Sequence, residues 1–148
     1  MISNMLNRQT ITEIKAEELL VEVEKKRKDG KRLVQISCTI NKPPRQATPD
    51  TPPMEGNYFE ITYSFEDGMN LENLRLDVPE TMEIESISGI YSFAFLYENE
   101  MKDLFGVKFN NLLVDFGGNL YKTAIKTPFN HTPPKEGNLS KEGKTDGE

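Results

Sequence analysis

The sequence has very few side chains that bind metals through sulfur or nitrogen. Its 148 residues include one cysteine, Cys38, and one histidine, His131, and no tryptophan. Iron–sulfur clusters and tetrahedral structural zinc sites usually take several Cys or His ligands from one chain, so this chain cannot house such a centre alone. A single cysteine also excludes an internal disulfide, which fits a reducing compartment. His131 has no neighbouring ligands in the sequence, and we expect it to bind no metal.

The sequence also lacks a long apolar run. The longest nearly apolar stretch, Ile90–Tyr97, is much shorter than the roughly 20 residues that a membrane-spanning helix needs. The first ten residues lack the apolar core of a secretory signal. We therefore expect a protein that reaches a membrane only through partners.

Acidic residues outnumber basic ones and are concentrated in one segment. The net charge is −6 and the isoelectric point is about 5.0, which argues against a general attraction to nucleic acid or anionic lipid. From Glu60 to Asp103 there are eleven acidic residues and two basic ones, a net charge of −9. This segment forms either a solvated acidic face or a surface that is matched to a basic partner.

Apolar periodicity predicts an α+β domain with a mixed or mainly antiparallel sheet of four to five strands. Alternating apolar residues indicate strands over 33–40, 58–65 and 73–78, and a shorter edge strand over Gln9–Ile14. The alternation places Cys38 on the core face, where a neutral thiol is inert. The segment Asn41–Gly56 has five prolines and is predicted to be a surface loop.

Two main helices are predicted, both on the apolar face of this sheet. The first covers Ala16–Asp29, where acidic residues precede basic ones and Gly30 follows. The second covers Ser86–Phe105, with Gly106 at the position of a left-handed C-terminal cap. The first half of this second helix is apolar almost all round, which predicts burial between the sheet and a partner protein.

Carboxylates in the second helix are the candidates for chemistry. Glu98 and Lys102 are spaced to pair at i,i+4, while Glu100 and Asp103 share a face at i,i+3. Two such carboxylates can act as a general acid–base pair or bind a metal. Since no histidine lies nearby, an exposed or partner-paired acidic cluster is the favoured interpretation.

The chain after this helix is predicted to form two short strands, Leu112–Phe116 and Leu120–Lys126, around a Gly117-Gly118 turn. An extended arm that lies on a partner is the alternative. The composition from 130 to 148 has few apolar residues and predicts a flexible tail, so the folded domain is expected to span 1–129.

The thirteen residues YENEMKDLFGVKF, from Tyr97 to Phe109, resemble the signature of the 30 kDa subunit family of respiratory complex I. In that family a short helix reads aromatic-Glu-Arg-Glu-x-x-Asp-(Met/Leu)-Phe-Gly-Ile-x-Phe. Asn99 stands where the family has arginine. The family's usual His-Pro stretch and basic Leu-Arg-Lys segment are absent. The short ending is more similar to the corresponding small subunit of the Ech-type energy-converting [NiFe] hydrogenases.

The resemblance implies a hydrophilic structural subunit that binds no cofactor itself. Its partners would be the large catalytic subunit and the small iron–sulfur subunits, which would carry the [NiFe] centre and the [4Fe-4S] clusters. It would lie on the cytoplasmic side of a membrane, held there by the complex. The residues that match the motif are then predicted to form the partner interface: Tyr97, Glu98, Glu100, Asp103, Phe105, Gly106 and Phe109.

Three other functions stay open at this point. The same resemblance fits the equivalent subunit of a complex I-like NADH or ferredoxin–quinone oxidoreductase. A stand-alone adaptor that binds proteins or peptides beside an open sheet edge is a second class. A small acid–base enzyme that uses Glu100 and Asp103 is a third.

Overall fold

A computed structural model describes residues 8–41 and 56–130. The interior of the proline-rich loop and nearly all of the predicted tail lie outside these residues. Within them the chain forms, in order, β1 (Gln9–Glu13), α1 (Leu19–Lys28), β2 (Arg32–Asn41), β3 (Tyr58–Glu66), β4 (Leu71–Pro79), β5 (Glu83–Glu85), α2 (Ala94–Phe105) and β6 (Lys108–Asn110). Short 3-10 helices precede α1 (Ala16–Glu18) and end the described chain (Pro128–Asn130).

The main sheet is mixed and has the strand order β1-β4-β3-β2. β2 pairs with β3 and β3 with β4 in antiparallel fashion, whereas the edge strand β1 runs parallel to β4. β5 and β6 form a second, two-stranded parallel sheet. The α+β fold and the mixed sheet predicted from periodicity are confirmed.

The core lies between the apolar face of the main sheet and the two helices. The register places the alternating apolar residues of β2, β3 and β4 side by side, so that Tyr63 lies between Ile36 and Leu74. Leu19 and Val23 of α1 are fully buried against this face. Burial raises the pKa of the Cys38 thiol to about 12, which keeps it neutral. The central side chains are Phe59, Ile61, Tyr63, Phe65, Leu74, Leu76, Val78 and Ile87.

The opposite face of the sheet carries polar side chains. Ser64 Oγ donates to Asn73 Oδ1 at 2.6 Å, and Asn73 Nδ2 donates to the Thr10 carbonyl at 3.0 Å. These two bonds tie three neighbouring strands together on the side that the two helices leave uncovered. Arg75 lies 3.6 Å from Glu60 on the same face.

Ion pairs also attach α1 to strand β4 of the sheet. Glu72 of β4 accepts from both Lys26 and Lys31, which lie within and just after α1. These lysines lower the pKa of the Glu72 carboxyl. The pairs are partly buried and connect residues more than forty positions apart, so they fix the orientation of the helix as well as its position.

The helix predicted over Ser86–Phe105 is wrong in its first half, because α2 begins at Ala94. The preceding residues form successive turns, in which both Ile90 and Tyr91 donate to the Ile87 carbonyl. Ser88 N–H donates to Ser86 Oγ at 3.1 Å, a local bond that competes with helical pairing. The apolar residues before α2 recur at helix-like intervals because successive turns point their apolar side chains to the same core.

The two strands predicted over Leu112–Phe116 and Leu120–Lys126 are also wrong. These residues form bends and turns, and the chain packs against α2 of its own domain. The strands that do follow the main sheet, β5 and β6, have three residues each. Such short strands present too few residues for a period to be recognised in the sequence.

Candidate functional site

The residues of the family-like motif, Tyr97–Phe109, occupy most of α2 and the positions that follow it. The helix ends at Phe105, and Gly106 has a φ of 81°, the left-handed conformation in which glycine is favoured. Its N–H donates to the Lys102 carbonyl at 3.1 Å. A Cβ at this position would lie only 3.1 Å from Thr127 Cγ2. The predicted cap is confirmed, and Gly106 also allows the later chain to approach the helix end.

Glu98 is fully buried, although its motif suggested an acid available to a partner. Its carboxylate accepts hydrogen bonds from Ser86 Oγ at 2.8 Å and from Ile87 N at 3.2 Å. Burial raises the pKa of Glu98 to about 7, although these bonds favour the charged form. The carboxylate thus holds the turns before α2 in place. It also raises the pKa of the buried Tyr63 hydroxyl, which burial itself raises most.

The predicted pair between Glu98 and Lys102 is wrong. Lys102 instead donates to both carboxylate oxygens of Asp115, at 2.8 and 2.9 Å. The reason is that the chain after β6 returns along α2 and places Asp115 beside the exposed end of the lysine. Glu98 points in the other direction, into the core.

Asn99, which replaces the arginine of the family motif, is a structural residue that the sequence reasoning missed. Its amide nitrogen donates to the carbonyls of Phe95 and Val114, at 2.7 and 2.8 Å. Its oxygen accepts from Phe116 N–H at 3.0 Å. The fully buried Asn99 side chain therefore attaches the returning segment, residues 111–130, to the helix. The only indication of this structural role in the sequence was that Asn99 departs from the family pattern.

Glu100 and Asp103 share a face of α2 as predicted, and both contact Tyr121. The Tyr121 hydroxyl donates to Glu100 Oε2 at 3.3 Å, and its backbone N–H donates to Asp103 Oδ2 at 2.9 Å. The charge of Glu100 raises the pKa of Tyr121. Asp103 is 7% exposed, and its second oxygen, Oδ1, is buried without a hydrogen-bond partner.

The aromatic residues of the motif pack within the domain. Tyr97 donates through its hydroxyl to the Val34 carbonyl at 3.1 Å, which links α2 to β2. The rings of Phe105 and Phe129 meet edge to face with centroids 5.4 Å apart. Phe109 lies in β6 and packs against the core. Their role in binding a partner stays a prediction.

A cleft of about 490 Å³ lies beside the end of α2. Asp103, Gly106 and the Gly117-Gly118 turn border it, together with charged residues from β5, β6 and the returning segment. Among residues 8–41 and 56–130 there is no group of three or more His, Cys, Asp or Glu side chains that could hold a metal ion. The charged lining residues are Glu83, Lys102, Asp103, Lys108 and Lys126.

The returning segment, residues 111–130, presents many apolar side chains to solvent. Leu113 is 62% exposed and Phe129 is 58% exposed, and Phe93, just before α2, is 74% exposed. Single exposed apolar residues are ordinary, but a concentration on one element indicates an interaction surface. The other large apolar side chains that this segment exposes are Val114, Phe116, Tyr121 and Ile125.

Comparisons with known proteins agree with the resemblance seen in the motif. Residues 12–114 match the model of the family described as respiratory-chain NADH dehydrogenase, 30 kDa subunit. No curated protein sequence matches the chain. No helix in the described part of the chain is long and apolar enough to cross a membrane.

One similar solved structure is that of the membrane-bound sulfane sulfur reductase, an archaeal respiratory membrane complex. The TM-score is 0.53 at 17% sequence identity, and the match covers 71% of this chain and 58% of the chain in that structure. At this level of identity the match shows a shared fold.

Proposed function

The chain belongs to the 30 kDa subunit family of the respiratory-chain NADH dehydrogenase, and from this membership we propose that it is a non-catalytic, hydrophilic subunit of a membrane-bound redox complex. In the finer form of the proposal, the complex is a ferredoxin-linked, energy-converting [NiFe] hydrogenase that couples hydrogen evolution to ion translocation. The equivalent subunit of a complex I-like quinone oxidoreductase is the alternative.

The observation that carries the proposal is the position of the motif. Tyr97–Phe109 is the part of the chain that organises the returning segment, through Asn99, Asp103 and Gly106. That segment in turn exposes a series of large apolar side chains. A family signature that shapes an apolar surface fits a role in assembly better than a role in chemistry.

The composition of the chain supports the proposal that other subunits of such a complex bind the redox cofactors. With one cysteine and one histidine in the sequence, the chain lacks the paired Cys-x-x-Cys ligands of a [NiFe] centre and the thiolates of a [4Fe-4S] cluster. Both groups would therefore reside in the partners, the large catalytic subunit and the small iron–sulfur subunits. The chain would lie on the cytoplasmic face of the membrane through these partners.

The hydrogenase form rests on the residues that follow the motif. The family's His-Pro stretch and basic segment are absent, and the chain continues after Phe109 with the segment that folds back on α2. The archaeal sulfane sulfur reductase shares the fold, in a complex that is also membrane-bound. The residues after Phe109 favour the hydrogenase form of the proposal over the quinone oxidoreductase.

Co-purification tests the proposal. We expect the tagged chain, isolated after gentle solubilisation of cells of its source, to bring with it a [NiFe] large subunit and small iron–sulfur subunits, identified by mass spectrometry. The preparation should evolve hydrogen from reduced ferredoxin. Recovery of quinone-reductase subunits would favour the alternative, and a chain that elutes alone as a monomer would refute both.

A further inference from the structure

We propose that a groove between the end of α1 and the turns before α2 receives an acidic segment of a partner subunit, and that Arg27 binds a carboxylate of this segment. This groove, the basic groove, has a volume of about 600 Å³. It is lined by Arg27 of α1, residues 30–33, residues 88–93, Tyr97 and Leu113. The proposal rests on the proposed function, since it requires a partner subunit.

The basic groove carries positive charge, although the net charge of the chain is −6. Its charged lining residues are three bases and no acid, namely Arg27, Lys31 and Arg32. Lys31 shares the carboxylate of Glu72 with Lys26, so two ammonium groups face one carboxylate and an excess of positive charge remains at this wall. The charge of an acidic segment complements such a lining.

Arg27 is the base that is best placed to bind a carboxylate. Its guanidinium carbon lies 5.6 Å from the centroid of the Tyr91 ring, a cation–π contact that holds the side chain over the ring. In the part of the chain that the structure describes, no acidic side chain forms an ion pair with Arg27, whereas Lys31 and Arg32 each have an acidic partner. The N–H groups of Arg27 are therefore available to bind a carboxylate, two at a time.

Hydrogen bonds within the fold hold the walls of the basic groove together. The Tyr91 hydroxyl donates to the Lys31 carbonyl at 2.7 Å, which joins the turns before α2 to the start of β2. The Tyr97 hydroxyl donates to the Val34 carbonyl at 3.1 Å and joins α2 to the same strand. A groove with fixed walls binds its guest at a smaller cost in conformational entropy.

Exposed apolar side chains in the lining favour a protein guest over a small anion. Phe93 and Leu113 both line the basic groove, and both are among the large apolar side chains most exposed to solvent. Leu113 also belongs to the returning segment, so the groove opens onto the apolar surface of that segment. Arginine and tyrosine beside apolar side chains are typical of the residues that dominate protein interfaces. The guest is therefore a segment in which Asp or Glu lies next to an apolar residue.

Charge reversal at Arg27 in the full chain is the first test. We expect Arg27→Glu to weaken the solubilised complex at least about tenfold, measured by its dissociation on dilution, because the carboxylate of the guest would meet another carboxylate. Lys25→Glu is the matched control, since Lys25 lies on the same helix, is exposed and does not line the groove. This control has the same net charge and should bind normally. The thermal unfolding of the free chain should change little in both variants.

Gly89 allows the basic groove to be filled without a change in charge. It lines the groove and is exposed, and a Cβ built on it meets no other atom within 4 Å. A larger side chain therefore fits the fold and occupies part of the groove. We expect Gly89→Leu to weaken the complex by a similar factor, with little change in the unfolding of the free chain. Ser37→Leu, at an exposed position of β2 outside the groove, is the control and should bind normally.

Chemical cross-linking tests the chemistry of the guest. Arg27→Lys keeps the positive charge and places a primary amine in the basic groove. A carbodiimide joins such an amine to a carboxylate that lies against it. In the complex that contains this variant, we expect a link from the introduced amine to an Asp or Glu of a partner subunit, identified by mass spectrometry. Lys25 should form no link to a partner.

Normal affinity of Arg27→Glu or of Gly89→Leu, or no link from the introduced amine to an acidic residue of a partner, would overturn the inference and leave the proposed function intact. Binding of the free chain to vesicles of phosphatidylglycerol that Arg27→Glu abolishes, with normal affinity for the partner subunits, would assign the groove to a lipid surface and overturn the inference as well. Absence of any complex with the wild-type chain would instead refute the proposed function, and with it this inference.

Discussion

Glu98 is an ionisable group that the fold places entirely in the interior. Its pKa of about 7 lies above the ordinary value of 4.5 because burial disfavours the charged form more than the bonds from Ser86 and Ile87 favour it. A raised carboxyl pKa means that the folded state binds the proton more tightly than the unfolded state. Glu98 therefore contributes stability that is fully present below about pH 4.5 and is lost as the pH rises through 7.

We predict that the free energy of unfolding of the wild-type chain falls relative to Glu98→Gln as the pH rises from 5 to 8. The pKa interval from 4.5 to about 7 corresponds to a relative loss of about 3 kcal/mol. Glutamine cannot ionise, so the effect of the substitution itself on the free energy of unfolding is the same at every pH. Any change with pH in the difference between the two proteins therefore reports the ionisation of Glu98. Urea denaturation at several pH values measures this. Parallel profiles would contradict the prediction.

Asn99 connects α2 to the returning segment through two hydrogen bonds. We predict that Asn99→Ala lowers the free energy of unfolding by about 2 kcal/mol, because it removes the hydrogen bonds to the Val114 carbonyl and the Phe116 N–H. The amides after Phe116 should exchange with solvent much faster, while those of β3 should not. Hydrogen exchange followed by mass spectrometry resolves the two regions. Uniform acceleration across the domain would instead indicate global destabilisation.

At the scale of secondary-structure elements, sequence reasoning succeeded where one period governed a whole element. α1 and the strands β2, β3 and β4 were predicted because their apolar residues recur every two residues, or every three to four, against a single core face. The start of α2 was missed because the apolar residues before it, Ile87 and Ile90, also face the core from successive turns. The period of the apolar residues cannot distinguish a helix from successive turns that face the same core.

The returning segment was missed for a different reason. Its conformation depends on polar side chains of α2, namely Asn99, Lys102 and Asp103, which bind it from twelve or more residues away. Leu112–Phe116 has the composition of a strand, but no neighbouring strand pairs with it in the described structure. The geometry of the candidate site also depends on contacts between residues that are distant in the sequence. The motif predicts where a functional region lies, and this stays a prediction, while the burial of Glu98 and the unpaired oxygen of Asp103 are properties of the packing.

The end of α2 depends on Gly106 in two ways that can be separated. We predict that Gly106→Ala destabilises the fold by about 1–2 kcal/mol from the left-handed backbone alone, with a further cost from the contact of its Cβ with Thr127 Cγ2. Thr127→Ser removes that methyl group. The alanine should therefore cost less in the Thr127→Ser background, which thermal or urea unfolding of the four proteins measures. Equal costs in both backgrounds would show that the contact is unimportant.

At the scale of the whole molecule, the acidic segment Glu60–Asp103 does not form a single acidic face. Glu66 pairs with Arg32, and Glu72 pairs with Lys26 and Lys31, so part of its charge is neutralised by the basic residues around the end of α1. Glu98 and Asp103 are buried, and Asp67 caps its own turn. The acidic side chains of this segment are therefore largely paired or buried within the fold. The surface best suited to a partner is apolar.

The location of that surface gives a prediction about assembly. Leu113 is 62% exposed on the returning segment, whereas Ser37 is exposed on β2, whose polar face the helices leave open. We predict that Leu113→Asp abolishes co-purification of partner subunits and leaves the unfolding of the free chain nearly unchanged, since an exposed side chain contributes little to the fold.

Ser37→Asp introduces the same charge on the opposite side of the molecule and should not affect co-purification. The two variants have the same net charge, so a difference between them reports position alone. If Ser37→Asp were the variant that lost its partners, the open polar face of the sheet would be the docking surface. The apolar series on residues 111–130 would then need another explanation.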